Sequence, residues 1–195
     1  MGRISSLKSL SLIEFRWAND TQGFDRLSSL EKLESLDLSW SYNMDNNILS
    51  SISSISSLKS LYLNNTNLNS TTDIQWLSKL GNLEVLGLRD NNFNNSILSC
   101  LAKLSSLKAL DLSRNGLEGR IDFQGLCNLR NLKELDLKYN QFSGMLPQCI
   151  GNLTSLQEFD ISQNHFIGSI SPIRSLTYLY CCWNFRAIYY KFHCH

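Results

Sequence analysis

Apolar residues recur along this chain in one short phrase, L-x-x-L-x-L, which is repeated at nearly constant intervals. In the stretch LKELDLKYN, which begins at Leu132, Leu135 and Leu137 alternate with acidic and basic residues. An alternation with a period of two predicts a short β-strand that turns its leucines to one face and its polar side chains to the other. Each copy of the phrase is therefore expected to form one strand.

Eight copies of the phrase align on their first leucine, and the successive intervals are 26, 25, 25, 24, 25, 24 and 20 residues. A period of about 20–29 residues with this pattern is the signature of leucine-rich repeats. We therefore predict an α/β solenoid of seven to eight repeats, with a curved parallel concave sheet and a convex side of irregular or short helical segments. The solenoid would occupy residues 1–184, and a degenerate tail would occupy residues 185–195. The units begin at Leu7, Leu33, Leu58, Leu83, Leu107, Leu132, Leu156 and Leu176.

An asparagine stands eight residues after the first leucine in most units. A carboxamide both donates and accepts hydrogen bonds, so it can satisfy the backbone groups that lose strand partners where the chain turns inward. Thr66 and Ser41 hold this position in two other units, and Asn43 follows as if two residues were inserted, which predicts a local bulge. The predicted asparagine ladder consists of Asn91, Asn115, Asn140, Asn164 and Asn184.

Glycine follows the asparagine in three units, at Gly119, Gly144 and Gly168, where a positive φ or a close chain approach is expected. Asn95 fills this place in the fourth unit, and asparagine is the residue that best replaces glycine at positive φ. The returning segments have apolar residues at i, i+4 and i+7, which predicts short helices or irregular turns on the convex side. These runs are Ile48/Ile52/Ile55, Ile97/Leu101/Leu104 and Leu146/Ile150/Leu153.

The two ends of the chain lack the polar capping units that a solenoid normally carries. The chain begins inside a repeat, and its tail, FRAIYYKFHCH, is aromatic. We expect an uncapped part of a longer solenoid, or a truncated product. The N-terminus does not have the pattern of a signal peptide, and no apolar run approaches the ~20 residues of a membrane-spanning helix.

Charge excludes one class of function and the motifs disfavour another. Lysine and arginine number 18 against 17 acidic residues, the charges are interspersed, and the net charge is +1. This balance argues against binding to nucleic acid or to a charged membrane surface. The chain contains no glycine-rich phosphate loop and no nucleophile elbow, and the spacing of its terminal histidines and cysteines does not fit a zinc site. We expect no catalytic residues, no metal and no cofactor.

The full repeat, L-x-x-L-x-x-L-x-L-x-x-N-x-L/F-x-G-x-I/L, with Pro147 in GMLPQCIGNLTSL, resembles the plant-type extracellular leucine-rich repeat. Roughly residues 27–175 resemble the plant receptor-like proteins. The resemblance implies a plasma-membrane glycoprotein whose repeats lie outside the cell. It also implies recognition of a peptide, a wall fragment or a microbial product, with a partner receptor kinase that relays the signal.

The expected function is thus non-enzymatic recognition of a protein or peptide ligand, as part of the ectodomain of such a receptor in defence or development. Two alternatives stay open. One is a secreted inhibitor of the polygalacturonase-inhibitor type, and the other is a truncated product without independent function. The sequence does not identify the ligand.

The polar faces of the strands form the predicted contact surface, because a rigid sheet presents one side chain per strand to an extended partner. The repeated aspartate of the phrase can equally be a solvated framework residue. Tyr62, Arg89 and Tyr180 interrupt the aspartate column, and aromatic residues and arginine are enriched at binding hot spots. Asn64 and Ser113 belong to the same face. The candidate ligand-binding residues are Tyr62, Arg89, Asp111, Glu134, Asp136, Lys138, Glu158, Asp160 and Tyr180.

Five Asn-x-Ser/Thr sequons are present, a density that fits a secreted surface but also arises by chance in a chain rich in serine and asparagine. Asn152 is the best candidate because it lies on the predicted convex return, whereas a glycan on Asn64 would obstruct the concave face. The sequons are at Asn19, Asn64, Asn69, Asn94 and Asn152.

Cysteines occupy similar repeat positions on the convex side. Cys100 and Cys149 share one position but lie two units apart, a distance of roughly 10 Å at one strand spacing per unit. That is too far for a disulfide, so both are predicted to be small buried core residues. Cys127 lies in the unit between them, where a pairing is conceivable but not expected.

Overall fold

Residues 6–16, 27–42, 44, 46–69, 72–120, 125–168 and 176–181 are described by the computed structural model. Eight short strands form one parallel sheet whose spatial order follows the chain. Each strand begins two residues after the first leucine of its unit, so the predicted solenoid is confirmed. The strands are β1 (Ser9–Ser11), β2 (Ser35–Asp37), β3 (Ser60–Tyr62), β4 (Val85–Gly87), β5 (Ala109–Asp111), β7 (Glu134–Asp136), β9 (Glu158–Asp160) and β11 (Tyr178–Tyr180).

A second parallel sheet, which the sequence analysis did not predict, follows the asparagine positions. Its strands are β6 (Glu118–Arg120), β8 (Gln141–Gly144) and β10 (His165–Phe166), in that spatial order. The three glycines of the repeat have φ values of +67° at Gly119, +80° at Gly144 and +91° at Gly168, which confirms the prediction for them. The L/F-x-G part of the repeat therefore encodes a strand as well as a turn.

The prediction of a positive φ at Asn95 is wrong, because its φ is −60°. The residue directly precedes a helix and already has the helical backbone conformation. Its carboxamide instead pairs with the backbone of Glu118: Nδ2 donates to the carbonyl oxygen at 2.7 Å, and Oδ1 accepts from the amide at 3.1 Å. The side chain thus makes two hydrogen bonds of the kind a neighbouring strand would make, and it covers the edge of the second sheet.

Short helices and 3₁₀ turns return the chain over the convex side, as the apolar spacing predicts. The helices are α1 (Asn46–Ser53) and α2 (Ser96–Leu101), and the 3₁₀ turns span Ile74–Lys79, Leu126–Asn128 and Gln148–Asn152. All residues of the three predicted apolar runs are buried. These segments close the core from the side opposite to the main sheet.

The core is a continuous stack of apolar side chains that runs the length of the solenoid. The leucines at the third and fifth positions after each first leucine are almost wholly buried in the central units, for example Leu135 and Leu137. Toward the second sheet, Phe142 and Phe166 stack with their ring centroids 6.0 Å apart. Each buried leucine contributes about 1.5–3 kcal/mol to folding, and no unit can bury its own leucines without a neighbour.

The asparagine ladder is confirmed at four positions, and Asn140 shows its bonding. Its Nδ2 donates at 3.0 Å to the carbonyl of Leu137 in its own unit and at 3.0 Å to that of Leu112 in the preceding unit. Its Oδ1 accepts from the amides of Asn115 and Leu117, also in the preceding unit, at 3.1 and 3.3 Å. Asn91, Asn115 and Asn164 donate in the same way to their own and the preceding unit.

Serine and threonine replace asparagine in two units, and their hydroxyls make different hydrogen bonds. The Ser41 hydroxyl donates to the Leu12 carbonyl of the preceding unit at 3.0 Å and accepts from the Phe15 amide. The Thr66 hydroxyl donates to the Leu63 carbonyl in its own unit, so it reproduces one of the hydrogen bonds that the asparagines make. Backbone bridging continues in register as far as Tyr42. The bulge predicted at Asn43, the ladder position Asn184 and the tail at 185–195 lie outside the described residues.

A column of left-handed residues precedes the ladder, which the sequence analysis did not foresee. Besides Asn67, seven of the described residues with side chains have a positive φ, between +52° and +63°, and each stands one position before the ladder position. Side chains of L-residues disfavour this region by roughly 1–2 kcal/mol. In six of them the amide donates to a carbonyl of the next unit, so the turn conformation is held by hydrogen bonds between units. These residues are Glu14, Trp40, Asn65, Asp90, Arg114, Tyr139 and Gln163.

Cys127 and Cys149 form a disulfide with their Cα atoms 5.7 Å apart, so the prediction for Cys149 is wrong. The two residues lie in stacked 3₁₀ turns of adjacent units, although they stand at different positions in the repeat. The comparison of equivalent positions missed this pair because irregular convex turns do not preserve the register of the strands. Cys100 is a buried free thiol, as predicted.

Replacing Asn140 by alanine should lower the free energy of unfolding by about 3 kcal/mol, because buried carbonyl and amide groups lose their partners at about 1–3 kcal/mol each. Urea denaturation followed by circular dichroism measures the change. The control is Asn128→Ala, at an exposed position in a convex 3₁₀ turn. Equal midpoints for both variants would contradict the role of the ladder.

Peptide mapping of unreduced protein should recover residues 127 and 149 in one cross-linked fragment. The double variant C127S/C149S should lose about 3 kcal/mol of stability, the loop-closure value for a separation of 22 residues. Cys100→Ser serves as the control for a cysteine without a disulfide. Separate alkylation of the thiols of residues 127 and 149 in the native, unreduced protein would refute the pairing.

Candidate functional site

The concave face of the sheet contains an open depression of about 540 Å³ that extends from β3 to β11. Polar side chains that flank the central apolar residue line it on β3, β5, β7, β9 and β11, as the alternation predicts, whereas β4 contributes Val85 and Gly87. Eight of the nine candidate residues line it: Tyr62, Asp111, Glu134, Asp136, Lys138, Glu158, Asp160 and Tyr180. The structure therefore brings most of the predicted residues to one surface, and their role in binding stays a prediction.

Two residues of the predicted face are placed differently. Arg89 does not line the depression, because its Nε contacts a carboxylate oxygen of Asp90 at 3.1 Å, at the rim. Arg114 continues this rim, since its Nε lies 3.9 Å from Asp90 and its guanidinium stacks 4.0 Å from the ring centroid of Tyr139. Ser113 is fully buried rather than available on the surface. Alternation assigns a side chain to a face but does not reveal what its neighbours cover.

Gly87 shapes one end of the depression, and the sequence analysis did not single it out. A Cβ atom at this position would lie 2.9 Å from both the Tyr62 ring and the Asn64 carboxamide. Its neighbours in the same register are Tyr62 and Asp111, so glycine replaces a side chain where the other central units have one. The missing side chain leaves room for Tyr62 and Asn64 to lean over strand β4.

Three aspartates form a row across strands β5, β7 and β9, because Asp111, Asp136 and Asp160 are register partners. In each, one carboxylate oxygen accepts the backbone amide two residues later at 2.8–2.9 Å. This bond fixes the direction of the carboxylate. The framework and contact interpretations are therefore compatible, since the same side chain holds the turn and presents its second oxygen to the depression.

Lys138 is the only cation among the described residues that line the depression. Its ammonium lies 2.8 Å from Asp136 and 3.8 Å from Asp160. Burial raises the pKa of Asp136 despite this contact, and the negative charge of Asp111 acts in the same direction. The hydrogen bond to Asp136 raises the pKa of Lys138. Five carboxylates and one ammonium leave the depression with a net charge of −4.

A second charged row, at the start of the strands, is neutralised within the chain. Glu34 accepts hydrogen bonds from Lys8 and Lys59, both at 2.8 Å, and Lys108 contacts Glu84 at 2.7 Å. The Lys59 and Lys8 ammonium groups lower the pKa of Glu34 to about 2. These side chains alternate in sign from unit to unit, unlike the acids in the depression.

The described ranges contain neither a metal-binding cluster nor a membrane-spanning helix. No three acidic, histidine or cysteine side chains in these ranges converge closely enough to hold a metal ion. In the same part of the chain, no helix has the length and apolar content needed to cross a membrane.

Comparisons with known proteins agree with this geometry. Leucine-rich repeat family models match residues 106–129 and 123–166. Receptor-like protein 9a of Arabidopsis thaliana is 41% identical over 88 residues, which cover 44% of this chain and 9% of that relative. The matched segment is thus only about a tenth of the relative's length.

Solved structures of receptors share the fold. The TDR receptor has a TM-score of 0.61 and 34% identity, with 74% of this chain and 24% of that chain covered. The Arabidopsis receptor kinase HAESA, solved in complex with the peptide hormone IDA and the co-receptor SERK1, has a TM-score of 0.63 and 26% identity, with 85% and 27% covered. The fold is therefore that of a leucine-rich repeat solenoid, and its repeats are similar to those of plant receptor-like proteins.

Proposed function

We propose that this chain is a non-enzymatic recognition module that binds an extended protein or peptide segment along its concave face. The observation that carries the proposal is the depression itself. It is open, it crosses six strands of a parallel sheet, and three of its aspartates are held in place by backbone hydrogen bonds. Preorganised contacts of this kind reduce the entropy that is lost when a ligand binds.

The setting that we propose is the extracellular part of a plant plasma-membrane receptor that perceives a signal in defence or development. Support comes from the likeness to receptor-like protein 9a and to a receptor kinase solved with a peptide hormone and a co-receptor. A partner receptor kinase would then relay the signal. The proposal includes glycosylation, because such a surface passes through the secretory pathway.

The sequons differ in how accessible their carboxamides are. Asn152 is exposed at the end of a convex 3₁₀ turn, and Asn94 is exposed but accepts hydrogen bonds from Ser96. The Asn64 carboxamide faces the depression, where it accepts the Arg89 amide at 2.9 Å. Asn69 is half-buried, and Asn19 lies outside the described residues.

Secretion from plant cells should attach a glycan to Asn152 and leave Asn64 unmodified. The variant N152Q should then lose the mass of one glycan, whereas N64Q should keep the mass of the unmutated protein. Intact mass before and after glycosidase treatment measures both. A glycan on Asn64 would contradict the proposal that the concave face is kept open for a ligand.

Selection of a phage-displayed library of random peptides on the purified chain tests the function. Enriched peptides should lose binding to A109W, because the indole would fill the floor of the depression beside Asp111. They should bind K103W normally, since Lys103 is exposed and outside the depression. Thermal melts establish that both variants are folded. A selection without enrichment, or peptides that bind A109W as well as the parent, would refute the proposal.

A further inference from the structure

Two glutamates of the concave face lie side by side, so that their negative charges repel each other. Glu134 and Glu158 are register partners on the neighbouring strands β7 and β9, and both are exposed. Neither carboxylate contacts a cation among the described residues. Like charges at opposed positions of a sheet destabilise it. The folded chain therefore holds two parallel negative charges together without an internal partner.

The row at the start of the strands shows that this chain can neutralise such positions. There, lysine and glutamate alternate over the first five units, so that Glu34 has a lysine on each side. The same alternation on β5, β7 and β9 would have neutralised the depression. Instead, these three strands contribute five carboxylates, and Lys138 alone opposes them. The excess of negative charge is confined to the surface that we propose as the binding face.

The aspartate row holds its carboxylates in fixed directions, and that of Asp111 keeps one oxygen available as an acceptor. Asp111, Asp136 and Asp160 each use one oxygen to accept a backbone amide. The second oxygen of Asp136 binds Lys138 at 2.8 Å, while the second oxygen of Asp111 has no partner among the described residues. A carboxylate whose direction is already fixed binds a lysine or arginine with little further loss of side-chain entropy.

A buried hydroxyl at the same place lacks a partner. The Ser113 side chain is fully buried, its hydroxyl makes no hydrogen bond, and its backbone amide is bound by the Asp111 carboxylate. Strand alternation places it on the concave side. Buried polar side-chain atoms nearly always have a partner. The Ser113 hydroxyl lies below the surface and does not line the depression, so the carboxylates are the groups that a ligand can reach.

We propose that the ligand of the concave face is a basic peptide segment that lies extended over β5, β7 and β9 with lysine or arginine side chains on the acidic rows. This inference rests on the proposed function, because it names the class of ligand for the same face. Tyr62 and Tyr180 bound the depression and stand five strand spacings apart. That distance is about 24 Å, or about seven extended residues, and the tyrosine rings can stack on terminal cationic side chains.

The test uses three fluorescent synthetic peptides with a core of about seven residues, identical except that three alternating positions carry lysine, glutamine or glutamate. Fluorescence anisotropy with the full chain should show binding of the lysine peptide, weakened when salt rises from about 50 to about 300 mM. The variant E134Q/E158Q should bind it about tenfold more weakly, because two exposed ion pairs with the peptide are lost.

The matched control is E31Q/E118Q, which removes two exposed carboxylates outside the depression. It gives the chain the same net charge as E134Q/E158Q. Its affinity for the lysine peptide should stay within about twofold of the parent. An equal loss of affinity in both double variants would show that binding depends only on the net charge of the chain, and it would overturn the inference.

Preferred binding of the glutamine or glutamate peptide, or no binding of any of the three, also overturns the inference. The proposed function fails separately. If the random library yields peptides that depend on the open depression but carry no excess of lysine or arginine, the recognition module stands and the basic ligand does not. If no peptide depends on the open depression, both fail.

Discussion

The side chain eight residues after the first leucine, a carboxamide in the fourth to seventh units and a hydroxyl in the second and third, makes the hydrogen bonds on which the rest of the structure depends. It lies where strand pairing stops and the chain must turn inward, so backbone groups are buried there without strand partners. Asn140 bonds both its own unit and the one before it. The left-handed residue just before it donates to the unit that follows. The carboxamide joins its unit to the preceding one, and the left-handed residue joins it to the following one. Together they fix the register of the unit against both neighbours.

This register has a direct effect on the concave face. Because Asp111, Asp136 and Asp160 are held opposite one another, their charges add up on a single surface instead of being scattered. The depression is therefore acidic although the chain as a whole carries a net charge of only +1. Average composition indicated no preference for a charged partner, whereas the alignment of the strands concentrates one sign of charge in one place.

Periodicity was sufficient to predict the main sheet, because one strand per unit and an alternation of two leave little freedom in register. The asparagine ladder was predictable for a similar reason, since the carboxamide satisfies a need that recurs in every unit. The concave location of Tyr62, Glu134 and Tyr180 followed directly from alternation.

Features that depend on contacts between specific side chains were not predictable in this way. The bond of Asn95 to Glu118 depends on where a helix begins. The burial of Ser113 and the rim position of Arg89 depend on what neighbouring side chains cover. The left-handed column has no residue type in common, since it includes tryptophan, aspartate and arginine. Its conformation is imposed by hydrogen bonds between units and not by local propensity.

The disulfide between Cys127 and Cys149 has a mechanical consequence for the opposite side of the molecule. A solenoid bends by changing the distance between units on its outer arc relative to its inner arc. This bond joins the convex turns of the fifth and sixth units, whose strands, β5 and β7, contribute Asp111, Glu134 and Asp136 to the depression. The outer arc is thus covalently fixed behind the acidic strands. The separation of the outer turns is limited there by a covalent bond, whereas hydrogen bonds and packing alone hold the neighbouring described units together.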